Sequence, residues 1–246
     1  MTGKVSRATV GRAVFGVLAV VALPTFGSAS FAQDPSAPRA PDTIEARARA
    51  CTPCHGEQGQ GTDNDYFPRL AGKPAGYLKN QLVAFRDGRR RYAPMNYLLE
   101  YQTDAYLQKI AEYFSALRPP PIPPAMIDAS APVLDRGKAL VSDGDQAHGV
   151  PACAGCHGPK LTGMEPGIPG LVGLRASYIS AQLGAFRYGT RTAAAPDCMQ
   201  LVAASLTESD VTAVAAYLAA QQVPVAPSPV SQGTLAMPFA CGSEPH

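Results

Sequence analysis

Two pentapeptides hold the residues best suited to chemistry. Cys51-Thr52-Pro53-Cys54-His55 and Cys153-Ala154-Gly155-Cys156-His157 each set two thiols on either side of two intervening residues, with an imidazole directly behind the second thiol. In that order the thiols reach the two vinyl groups of a haem, and the imidazole ligates the iron from the proximal side. Each copy reads as a covalent haem attachment site, so two covalently bound haem c groups are expected, with His55 and His157 axial to the iron. Two other uses of Cys-x-x-Cys compete with this one. A thioredoxin-like dithiol wants a βαβ setting and has no use for a His after the second Cys. A zinc site would have to pair the two segments or recruit other ligands, and the only other histidines are His148 and His246.

A second axial ligand decides whether such an iron carries electrons or binds a substrate, because a thioether fills the site and favours the reduced metal. Met95 is the only methionine between the first motif and the proline run at 119–124, whereas the second half offers Met164, Met199 and Met237. Met95 lies as far before Tyr113 as Met199 lies before Tyr217, which selects Met199; an insertion within 192–197 accounts for its later register. Met164 and Met237 have no counterpart in the first half and are assigned to packing. His148 reads as a solvated loop residue. Cys198 and Cys241 are the two thiols outside the motifs, and in an exported chain they are expected to pair as a disulfide that pins the C-terminal tail over the Met199 loop.

The elements that position these groups repeat. Pro68-Arg69-Leu70-Ala71-Gly72 is answered by Pro169-Gly170-Leu171-Val172-Gly173, and YLKNQLVAFR at 77–86 by YISAQLGAFR at 178–187. Both blocks recur at one offset, a single residue short of the offset between the cysteine pairs, so one small domain is used twice. Helices are expected from Asp42 into the first motif, over 77–88, over 103–117 with Leu107, Ile110 and Phe114 inward, and from the Thr207-Glu208-Ser209-Asp210 capping box onward. Arg89, Arg90 and Arg91 read first as a solvated loop and second as a steering patch for an acidic partner. Tyr77, Tyr113, Tyr178 and Tyr217 recur with the repeat and read as core or haem-packing groups.

Across 246 residues, 21 Lys and Arg oppose 19 Asp and Glu. That balance lacks the basic excess of a nucleic-acid binder. Residues 1–32 read as a cleavable signal peptide: Lys4, Arg7 and Arg12 precede an apolar run at 13–23, far short of the roughly 20 residues that span a bilayer, and Ser30-Phe31-Ala32 offers a cleavage site. The periplasm is the expected location. The remaining organisation is a flexible leader at 33–41, a first domain at 42–118, a Pro-rich linker at 119–132, a second domain at 133–222 and a Pro-rich tail at 223–246.

With two Cys-x-x-Cys-His motifs, a downstream Met for each and a Pro-rich connector, residues 42–222 resemble the dihaem cytochromes c of the cytochrome c4 type. The resemblance implies an all-α fold of two tandem class I cytochrome c domains related by a pseudo-twofold axis, with the propionate edges of the haems near the domain interface. It implies an electron-transfer protein and not an enzyme, passing electrons between respiratory donors and an acceptor such as a terminal oxidase, with redox proteins as partners and no small-molecule substrate. Two other roles stay open: an electron-transfer subunit of a periplasmic dehydrogenase or oxidase, and a dihaem peroxidase-like or thiosulfate-oxidising enzyme. The lengthened Met199 loop and the tail depart from the family pattern.

Overall fold

The computed structural model describes Gly3 and residues 41–64, 66–120, 123–124, 126–225 and 227–244. Apart from Gly3, the expected signal peptide and all but the last residue of the leader lie outside the described residues, as does His246. The unit Ala40–His246 contains both motifs.

Helices dominate it. In the first half α1 (Ile44–Ala48) runs through a 3-10 turn into α2 (Thr52–His55), followed by α3 (Ala75–Arg86), α4 (Ala93–Leu99) and α5 (Asp104–Ala116). The start of α1 differs from expectation: Thr43, not Asp42, is the N-cap, its hydroxyl accepting from Ala46 N. Asp42 instead pairs with Arg47, which its short side chain reaches without entering the cap position. Helices α3 and α5 pack together, with Leu78, Ile110, Ala111 and Phe114 buried alongside Ala48 from α1. Burial of the larger of these, Leu78, Ile110 and Phe114, contributes roughly 1.5–3 kcal/mol each, and so short a helix as α1 is held by packing Ala48 and part of Ile44 against them.

The second half begins with α6 (Ala131–Ser142), a helix the sequence pattern hides, because its close-packing position is a glycine and its charged residues interrupt the apolar spacing. It is followed by α7 (Cys153–His157), a small hairpin of β1 (Gly163–Met164) and β2 (Ile168–Pro169), α8 (Ala176–Arg187), α9 (Cys198–Ser205) and α10 (Glu208–Ala219). The two-residue strands and three isolated β-bridges are small departures from an all-α fold among the described residues. The capping box on α10 is present: Thr207 Oγ1 accepts from Asp210 N at 3.1 Å and Asp210 Oδ2 accepts from Thr207 N at 3.1 Å.

Helices α6 and α10 make the most extensive helix packing among the described residues, and Gly137 sets how close they come. A Cβ at that position would run into the Ala213 carbonyl and Tyr217 Cβ, whereas one at Gly184, in the middle of α8, would meet nothing within 4 Å. Gly137→Ala is therefore expected to lower unfolding stability by about 1–3 kcal/mol through overpacking. Gly184→Ala should raise it by up to about 1 kcal/mol through helix propensity. Denaturant unfolding of the two variants, followed by far-UV circular dichroism, checks both signs.

Candidate functional site

Each motif ends on a one-turn helix stopped by a glycine in the left-handed region, Gly56 with φ 82° and Gly158 with φ 85°. That stop turns the chain back so that a proline carbonyl meets the motif histidine. His55 Nδ1 lies 2.9 Å from Pro68 O, and His157 Nδ1 lies 2.7 Å from Pro169 O. A carbonyl can only accept, so Nδ1 carries the proton in both rings and Nε2 keeps the lone pair that a metal needs. Both imidazoles are buried. Burial pushes the pKa of His157 down to about 4 against the opposing Pro169 bond, and Lys73 adds to the depression; burial likewise lowers His55, with Arg90 adding to it. Neutral rings at neutral pH are competent ligands.

Burial raises the Cys51 and Cys153 thiols to about 11 each and raises Cys156 as well. A redox dithiol needs the opposite shift, toward thiolate. Among the described residues no group of three or more His, Cys, Asp or Glu side chains is placed to hold a metal ion.

Cys156 and His157 open onto a cavity of about 1060 Å³, part of it continuous with solvent. Apolar side chains dominate its walls, Ile168, Leu171, Leu174, Ile179, Leu183 and Phe186 among them, and Met199 stands in the same cavity as His157. A flat apolar macrocycle fits this lining, and Lys73 and Arg191 on the same walls suit its carboxylates. Met199 is held at the start of α9, whose N-cap Asp197 accepts from Gln200 N at 3.1 Å and Ala193 N at 2.6 Å. In the first half Met95 sits on α4, half-buried against Phe85, Leu99 and Leu107. Asn96 fixes that helix start, donating to Phe85 O at 2.5 Å and Arg90 O at 2.9 Å.

Cys198 and Cys241 are joined by a disulfide. The tail it anchors runs against the β-hairpin, with Val230 N donating to Gly163 O and Glu165 N to Val230 O at 2.9 Å each, and it brings Met237, Phe239 and Ser243 into the cavity wall. Met237 thus lines the cavity, while Met164 is enclosed in the core. His148 is exposed and pairs with Asp145 at 2.9 Å.

Sequence reasoning missed one group. Arg90 is not in a solvated loop: it is buried, as is Arg191, and both lie where the halves meet. The reason is local, since Phe85 and Phe186 each offer a ring face to the guanidinium, at 4.5 and 4.4 Å, and a glutamine carbonyl waits one helical turn earlier. The repeat carried the signal as Tyr77, Gln81, Phe85 and Arg90 against Tyr178, Gln182, Phe186 and Arg191. Arg89 is partly exposed and Arg91 exposed, as loop residues should be. The phenol of Tyr77 shows the effect of these cations: burial works to raise its pKa, yet Arg191, Arg90 and Lys73 together pull it below its ordinary value.

Comparison with known proteins gives a consistent result. A family model described as cytochrome c matches residues 134–222. The chain is 37% identical over 209 residues to a thiosulfate dehydrogenase electron acceptor of Thiomonas intermedia, covering 85% of this chain and 93% of that protein. It is 37% identical over 176 residues to a cytochrome c4 of Pseudomonas aeruginosa, covering 71% and 85% respectively. Among solved structures, reduced recombinant cytochrome c4 from Pseudomonas stutzeri superposes with a TM-score of 0.62 at 32% identity, over 72% of this chain and 95% of that one.

The disulfide closes a loop of 43 residues. In the chain-entropy model such a closure contributes on the order of 4 kcal/mol. Cys198→Ser with Cys241→Ser is expected to lower the thermal midpoint of the haem-loaded protein and to expose the tail to limited proteolysis near Val230 before the helices are cut. A tail that stays protected in the double variant would mean that the hairpin contacts alone hold it.

Proposed function

Because the chain belongs to the cytochrome c4 family of dihaem electron carriers and bears covalently bound haem c, we propose that it accepts single electrons from a thiosulfate-oxidising dehydrogenase and passes them to a downstream redox protein. The observation that carries this reading of the donor is the 37% identity across 93% of a thiosulfate dehydrogenase electron acceptor. Haem c supplies one-electron chemistry at its iron. The polypeptide supplies everything else.

In this proposal Cys51 and Cys54 bind the first haem and Cys153 and Cys156 the second through thioethers. His55 and His157, each aimed by its proline carbonyl, would hold the irons together with Met95 and Met199. The Met95 and Met199 thioethers would keep oxygen, peroxide and thiosulfate off the metal and would raise its potential. The presence of Met199 in the same cavity as His157 supports a filled site and therefore a carrier without bond-breaking chemistry of its own. The expected signal peptide at 1–32 would deliver the chain to the periplasm, where thioether attachment and the Cys198–Cys241 disulfide both suit an oxidising compartment.

Stopped-flow absorbance tests this directly. Thiosulfate alone should leave the oxidised protein unreduced, and thiosulfate with a catalytic amount of thiosulfate dehydrogenase should reduce both haems. Reduction by thiosulfate alone would make the protein the oxidising enzyme, and no reduction with the dehydrogenase present would remove that donor.

A further inference from the structure

The chain beyond α10 is fastened to two separate parts of the second cavity. It first runs beside the β-hairpin, where Val230 N donates to Gly163 O and Glu165 N donates to Val230 O. It then reaches the loop that leads into α9, where Gly242 N donates to Pro196 O at 2.9 Å. Past that point it returns to the hairpin, and Gly167 N, between the two strands, donates to Glu244 Oε2 at 3.3 Å. Both glycines are needed for this fit. A Cβ at Gly242 would run into the Ala194 and Ala195 carbonyls, and one at Gly167 would run into the Ser243 carbonyl. The Cys198–Cys241 disulfide adds a covalent fastening on the α9 side.

These two parts carry the groups on the two sides of the cavity. Strand β2 ends on Pro169, whose carbonyl accepts from His157, while α9 begins Cys198-Met199. The tail therefore joins the element that aims the histidine to the element that holds the methionine. Met164, Ile168, Cys198 and Cys241 form a buried cluster between them, and Met199, Met237 and Phe239 pack on it. With Cys198 8% and Cys241 1% exposed, the disulfide is a fixed fastening and not a thiol switch, because exchange needs an attacking thiolate to reach the sulfur. An eight-residue helix behind a loop is an element that opens locally at low cost, and a covalent tie at its first residue removes that freedom. The first half has no such tie. Its only cysteines are Cys51 and Cys54, and Tyr97 and Tyr101, just beyond Met95, are 83% and 85% exposed.

We propose that the tail and the Cys198–Cys241 disulfide form a positioning strap for Met199, holding it in place so that external ligands displace it far more slowly than they displace Met95. The proposal goes beyond the dihaem reading above and rests on it, since both methionines must be ligands. An external ligand gains the position only after the thioether has left, so its rate of entry reports how often the element carrying that methionine opens.

Cyanide is the probe. It is added to the oxidised holoprotein well below the thermal midpoint, and the two methionine methyl signals, assigned with Met95→Ala and Met199→Ala, are followed by proton NMR. In the wild type the Met95 signal should disappear at least about tenfold faster than the Met199 signal. Cys198→Ser with Cys241→Ser should speed the loss of the Met199 signal by about tenfold or more and leave the Met95 rate unchanged. A disulfide that served stability alone would lower the midpoint when removed and leave this rate as it was, which overturns the strap. Loss of Met199 as fast as Met95 in the wild type overturns it too, and that comparison decides if the serine variant fails to load haem. Either result leaves the carrier function standing, whereas a wild type lacking one of the two methyl signals overturns the ligand set beneath it.

Discussion

The hydrogen bond from each motif imidazole to a proline carbonyl is the constraint on which the site depends. Pro68 and Pro169 can only accept, so His55 and His157 are fixed in one tautomer and one orientation before any metal chemistry is considered. Once that nitrogen is committed, the other is left for a metal, and the two cysteines, one a turn earlier and one directly before the histidine, fix where a macrocycle can attach. The repeat follows from the same constraint: the motif and the proline-led turn behind it have to recur together, and they do.

Around that contact the two halves solve the packing problem differently. The first leans a five-residue α1 on α5 and leaves its Met95 helix partly open, with Tyr97 and Tyr101 in solvent. In the second, a full-length α6 crosses α10 through Gly137, and a disulfide-tied tail contributes Met237, Phe239 and Ser243 to the cavity wall. Such differences would give the two haems unlike degrees of solvent access, which is a lever on redox potential independent of ligand identity.

The sequence made the chemistry legible because covalent haem attachment demands residue types in a fixed order, and a repeated order resists chance. Helices α3, α5, α8 and α10 were legible because their apolar spacing is regular and α10 carries its own cap. Helices α4, α6 and α9 were not: α4 and α9 are short and follow loops, and α6 packs through a glycine that no apolar period registers. Arg90 was hidden for a different reason. Its environment comes from Tyr178 and Gln182, residues distant in the chain, and a run of three arginines says nothing about which one turns inward. The shift of the Met199 loop relative to Met95 was visible, but its enclosure by Met237 and Phe239 depends on a tail with no partner in the first half.

The central claim is that two haems per chain are each held between a motif histidine and a methionine, Met95 in one half and Met199 in the other. Proton NMR of the fully reduced protein tests it most directly, because the methyl group of an iron-bound methionine is moved far upfield by the macrocycle current. The account predicts two such methyl signals, one lost in Met95→Ala and the other in Met199→Ala. A single upfield methyl, or a signal that survives Met199→Ala and disappears in Met237→Ala, would contradict it.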